Sequence, residues 1–172
     1  MIACLGNYLE KRYYSAKPLT NVDGFLELAM TVVQSQSLVV SIPVLVTWTK
    51  FLSHRDLGPE AANKPLIATL LGLCSSRLIR YENLPEDTQD PTYLLLMEDT
   101  DTIPERHAFL GNYRRYSTQI IENIVQLAVS DSLNYILGQA ETTLRTLYDR
   151  HPPLNSTLYV SLYHQEGPTM LT

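Results

Sequence analysis

A chain of 172 residues with 45% hydrophobic side chains holds enough apolar material for one packed domain, which excludes bulk disorder. Charged residues make up only 18%, below the roughly 25% of an average soluble domain, the balance of a chain that leans on neighbours. Thirteen Lys and Arg against eighteen Asp and Glu leave a net charge of -5, so any binding to nucleic acid or anionic membrane has to be local.

The first residues, Met1 to Tyr14, set Asn7, Glu10, Lys11 and Arg12 inside their one apolar window, which argues against a secretory signal. Phe25, Leu28, Ala29, Val32 and Val33 then follow the i, i+3, i+4 rule of a helix with one buried face, with Asp23 as its expected N-cap. After Ser35-Gln36-Ser37 a second helix is expected over about 38–54. Its stripe of Leu38, Ile42, Leu45, Trp48 and Leu52 is thickened by Val39, Val44 and Val46 until little is polar, as in a helix covered on several sides. Pro43 lies near enough to the start to do little damage, and Ser41, Pro43 and Thr47 keep the stretch well short of the roughly 20 apolar residues that cross a bilayer. The chain reads as soluble, without membrane insertion.

A loop over 55–63, marked by Gly58 and Pro59, precedes a third helix in which Ile67, Leu70, Leu71, Cys74 and Leu78 repeat the period. Beyond Tyr81 the period stops and an irregular, proline-marked segment runs to about residue 103. A fourth helix follows over about 105–130, with Tyr113, Tyr116, Ile120, Ile124, Leu127 and Ala128 inward. A fifth over about 132–149 turns Leu133, Ile136, Leu137, Ala140, Leu144, Leu147 and Tyr148 inward and stops at His151-Pro152-Pro153. Tyr159, Leu162 and Tyr163 suggest a short strand with no partner strand in view.

Five helices and no firm strand give an all-α class. First-helix starts separated by about 41 positions fall within the roughly 40–47 of HEAT and armadillo units, so the favoured architecture is a HEAT-like stack of about two and a half helical hairpins. A five-helix bundle is the alternative. Residues 1–154 read as the helical segment with an acidic insertion at about 82–103, and 155–172 as an irregular tail.

Catalytic signatures are absent: there is no phosphate loop, GxGxxG turn, HExxH or GxSxG elbow, and no cofactor or metal is expected. Cys4 and Cys74 lie too far apart in sequence, with no companions, to frame a disulfide scaffold or a zinc site. His54, His107, His151 and His164 fall in four different elements. His107 follows Glu105 and Arg106, and a solvated helix-start histidine is the simpler reading.

Charge is the local anomaly. Glu82, Glu86, Asp87, Asp90, Glu98, Asp99, Asp101 and Glu105 crowd one segment with no Lys or Arg between them, a run expected to repel itself, stay extended and project from the helices. Its apolar centre, Tyr93 to Met97, needs a surface, either the protein's own or that of a basic partner. Arg77 and Arg80 end the third helix, and Arg106, Arg114 and Arg115 open the fourth. Antiparallel packing would gather these arginines at one end, where they could hold phosphates or neutralise the acidic run.

The segment Phe109-Leu110-Gly111-Asn112-Tyr113-Arg114-Arg115-Tyr116-Ser117-Thr118, with Ser37-Leu38-Val39-Val40-Ser41-Ile42-Pro43-Val44-Leu45-Val46-Thr47-Trp48 and the acidic run between them, resembles the middle of a fungal karyopherin of the exportin-5 type, in the importin-β superfamily. The resemblance covers roughly residues 6–155. It implies a HEAT superhelix that binds cargo together with Ran-GTP, passes nuclear pore proteins, shuttles between nucleus and cytoplasm, and does no chemistry itself. Implied cargo is tRNA, microRNA precursors or protein. On that pattern the acidic loop from Glu82 to Asp101, with Glu86, Asp87, Asp90, Glu98, Asp99 and Asp101, would face Ran or regulate access, and Arg114 and Arg115 would be candidate phosphate contacts. The amino-terminal repeats that carry the main Ran contact in such receptors have no counterpart here, and 156–172 departs from the pattern. A partial copy of this kind would leave apolar ends uncovered and self-associate.

Overall fold

The computed structural model describes residues 1–17, 21–84 and 87–146. Among them nine α-helices form in chain order: α1 (Ile2–Lys11), α2 (Tyr13–Ala16), α3 (Val22–Val33), α4 (Leu38–Ser53), α5 (Leu57–Ala62), α6 (Leu66–Ser76), α7 (Pro91–Asp99), α8 (Ile103–Leu127) and α9 (Val129–Thr146). A 3-10 turn, Tyr81–Asn83, lies between α6 and α7. No strand occurs among the described residues, and the packing of successive helices is that of an all-α, HEAT-like fragment. The expected strand around Tyr159 lies outside the described residues.

α4 is the axis of the molecule. It packs against α1, α3, α5, α7 and α8, which is why its sequence is apolar all round. Trp48 and Phe51 meet edge to face, with ring centroids 6.1 Å apart, and both are sealed from solvent with Leu38 and Leu45. Each such large side chain contributes about 1.5–3 kcal/mol by burial. The Trp48 indole Nε1 finds no acceptor among the described residues, a cost this packing absorbs. α8 brings Leu110, Tyr113, Ile120 and Ile124 onto α4 and α6. Pro43 sits at an exposed position within α4, and the helix continues through it.

Caps set the boundaries. Ser37 Oγ accepts from Val40 N at 3.3 Å to open α4, and it donates to Asp99 at the end of α7. Asp90 opens α7 by accepting from Tyr93 N at 2.9 Å, with Pro91 in the first turn. Thr102 opens α8 through Glu105 N, while the Glu105 carboxylate reaches back to Asp101 N, a variant of the capping box.

Several expectations are corrected. Asn21, not Asp23, caps α3, because its side chain reaches Gly24 N at 2.9 Å, and Asp23 occupies the first turn. Residues 2–16, to which periodicity assigns no element, form α1 and α2. Gly6 lets α1 lie directly on α4, where an added Cβ would stand 2.2 Å from Thr47 Cγ2. The 55–63 loop contains α5, started by His54, whose Nδ1 accepts from Asp56 N and Leu57 N at 3.2 Å each. The acidic run is not extended. Its apolar centre forms α7, which buries Leu96, stacks Tyr93 on Tyr81 at 6.5 Å and packs against α4. Burial of that centre outweighs the repulsion of acids that the helix leaves facing water.

Leu28, expected inward, is exposed, since Leu26, Ala29, Met30 and Val33 form the buried face of α3. In α9 the difference is larger: Leu133, Leu137, Ala140 and Leu144, expected inward, face outward. Leu147 and Tyr148 lie outside the described residues.

Candidate partner-binding surface

Arg77 sits just past the end of α6 and only 8% of it is exposed. Its guanidinium turns inward, donating to the Val33 carbonyl at 2.6 Å, the Ser35 carbonyl at 2.5 Å and the Tyr113 hydroxyl at 2.7 Å. Those carbonyls belong to the carboxyl end of α3, where a cation complements the helix dipole and satisfies free acceptors. Ser41 Oγ lies 3.0 Å from the same hydroxyl, so α3, α4, α6 and α8 meet in one polar knot. Burial holds the Tyr113 hydroxyl above its ordinary pKa although Arg77 pulls the other way. Burial likewise pushes the Cys74 thiol, one turn before Arg77, up to about 12, far from the thiolate form that reacts.

Arg114 grips Glu82 with both arms, at 2.9 and 2.7 Å. Burial raises the Glu82 carboxyl, yet the Arg114 hydrogen bonds and a backbone donor outweigh it and hold the group below its usual range. One arginine thus neutralises part of the acidic run, as the charge pattern allows. Arg106 lies over the Tyr93 ring at 5.8 Å and bonds Thr100 Oγ1 at 3.1 Å, which fastens α8 to α7. These three arginines are therefore committed within the protein.

Arg80 and Arg115 are different. Both are exposed and neither forms an ion pair among the described residues; Arg115 rests on the Tyr116 ring at 4.9 Å. Asp87, Glu98 and Asp101 are likewise exposed and form no ion pair among the described residues, whereas Asp90 and Asp99 take part in caps. Glu86 lies outside the described residues. The structure therefore splits the expected cluster: Arg77 bonds Tyr113, the residue before Arg114 in α8, while Arg106 belongs to the α7 side.

A polar clasp has no signal in the sequence. Tyr13 and Lys17 both bond Glu60, Lys17 at 2.6 Å, and Tyr14 bonds Asp56 at 2.5 Å, so α2 is tied to α5. The Lys17 and Tyr13 hydrogen bonds lower the Glu60 pKa against the opposing effect of burial, and the bonds from Lys17 to Glu60 and Tyr13 raise that of Lys17. Beside the clasp an open cleft of about 470 Å³ is lined by Glu10, Tyr14, Lys50, His54, Arg55 and Asp56. Its acids and bases alternate, so it offers no single charge to a ligand. No group of His, Cys, Asp and Glu among the described residues could hold a metal ion, and no described helix is long and apolar enough to cross a membrane.

The model of the exportin-5 family matches residues 1–165 of this chain. An uncharacterized protein of the fission yeast Schizosaccharomyces pombe is 27% identical over 150 residues, which cover 83% of this chain and 12% of that protein. The chain thus spans about an eighth of that relative's length. No solved structure matches.

Proposed function

This chain belongs to the exportin-5 family, and on that premise we propose that it is a section of a nuclear export receptor that holds cargo together with Ran-GTP. The reading rests on the family match, which runs through every described helix. In this reading the work is grip, not turnover. The chain shuttles between nucleus and cytoplasm past nuclear pore proteins, and its cargo is tRNA, a microRNA precursor or a protein.

Within that role the free charges divide by sign. Arg80 and Arg115 are the phosphate contacts for an RNA cargo, and the Tyr116 ring under Arg115 keeps that guanidinium presented. Asp87, Glu98 and Asp101 face the basic side of a protein partner. Arg77, Arg106 and Arg114 serve by holding the surface in shape.

The test is a titration of structured RNA against the chain at several salt concentrations. Removing one phosphate-binding arginine should lower the slope of log affinity against log salt by about 1, so Arg80→Glu with Arg115→Glu should flatten it by about 2. An unchanged slope removes both arginines from the proposed site.

A further inference from the structure

His54, between the end of α4 and the start of α5, satisfies the donors that open α5. Its Nδ1 accepts from Asp56 N and Leu57 N at 3.2 Å each, and its carbonyl oxygen accepts from Gly58 N at 2.9 Å. Pro59, next in line, has no N–H to satisfy. A helix of six residues does not hold itself, so the start of α5 rests on this one residue and on packing. Both bonds to Nδ1 need its lone pair. The ring in this arrangement is therefore neutral, with its proton on Nε2.

The acids at this end of α5 are those that hold α2. Asp56 accepts from the Tyr14 hydroxyl, and Glu60 accepts from Tyr13 and Lys17, whose Nζ also donates to the Tyr13 hydroxyl at 2.8 Å. The Tyr13 ring lies against the His54 ring, with centroids 5.4 Å apart, so the imidazole touches both sides of the clasp. The groups around it carry both signs. Glu10 of α1, Tyr14 of α2, Lys50 of α4, Arg55 and Asp56 line the same cleft, and beyond Tyr13 stand Lys17 and Glu60, paired with each other. α8 contributes Asn123, uncharged and bonded to Ser53 at 3.1 Å. Acids and bases offset one another there, which leaves the bonds to Nδ1 to decide the response to acid.

We propose that His54 is an acid-sensitive latch: protonation of its imidazole frees the start of α5 and, through Asp56 and Glu60, releases α2. A proton added at Nδ1 turns the acceptor into a donor facing two other donors. The ring must turn away, and both backbone N–H groups lose their partner. α5 has little room to compensate by sliding toward α4, because a Cβ on Gly58 would stand 2.5 Å from the Leu52 carbonyl oxygen. Histidine is the side chain that changes charge between about pH 5 and 8, where ordinary carboxylates stay ionised and tyrosine and lysine stay protonated. Acid therefore loosens the clasp, and neutral or basic solution closes it. The latch depends on neither Ran nor RNA.

Hydrogen–deuterium exchange of the full chain, compared at about pH 7.5 and about pH 5.5 and corrected for the intrinsic pH dependence of exchange, tests it. Protection over 13–17 and 56–62 should fall about tenfold at the lower pH, what the loss of a helix cap produces, while α6 keeps its own. His54→Asn places an amide oxygen where Nδ1 stands and does not titrate, so its α2 and α5 should exchange alike at both pH values. His54→Ser, with a shorter acceptor, should behave in the same way and serves if the asparagine variant loses helix content by circular dichroism. Unchanged protection in the natural chain overturns the proposal. So does a loss that the variants share, which assigns the response to another group. A loss that reaches α6 equally also overturns it, since that is acid unfolding of the whole chain.

Discussion

Arg77 shows how much the fate of one side chain depends on distant residues. Its acceptors stand 44, 42 and 36 positions away in sequence, so local reading sees only an arginine at a helix end and a candidate for phosphate. In the folded chain the same residue is the stopper of α3. Tyr113→Phe would remove one acceptor of a buried cation and the partner of Ser41, and should lower stability by about 1–3 kcal/mol in urea denaturation. A change near zero would mean that the hydroxyl contributes nothing to the knot. Arg114 illustrates the opposite case. The density of acids with no base among them in 82–105 calls for a nearby arginine, and Glu82 takes Arg114.

At the scale of elements, periodicity finds α3, α4, α6, α8 and α9, because each carries a long apolar stripe. It misses α1, α2, α5 and α7, which are short and are specified by what they touch. α7 keeps its place through Leu96, the Tyr81–Tyr93 stack and the Ser37–Asp99 bond, none visible as a period. Period also fails to say which neighbour a stripe meets. The stripe of α9 is legible and its direction is not, since two apolar faces on one helix average into one pattern. Glycines separate close approach from idle space. Gly6→Ala would drive a methyl into Thr47 where α1 crosses α4 and should cost about 1–3 kcal/mol. Gly111→Ala meets nothing within 4 Å and should instead stabilise α8 by about 0.5–1 kcal/mol. Thermal melts of the two variants should shift in opposite directions; a harmless Gly6→Ala would mean that α1 does not lie directly on α4.

For the whole molecule, the all-α class and the stacking of hairpins follow from composition and connection lengths, because helices with one or two apolar faces have few ways to hide them. The surface reads less well, since exposure of a charge is decided only after every helix has found its neighbours. Of the five arginines singled out by charge, three are consumed by the fold and two stay open to solvent. A helical section that grips macromolecules in the manner of an export receptor should sense the nucleotide state of its partner. The decisive measurement is retention of the chain on immobilised Ran loaded with a non-hydrolysable GTP analogue compared with Ran loaded with GDP. Stronger retention on the GTP form is expected; equal retention on the two forms would contradict the export-receptor reading.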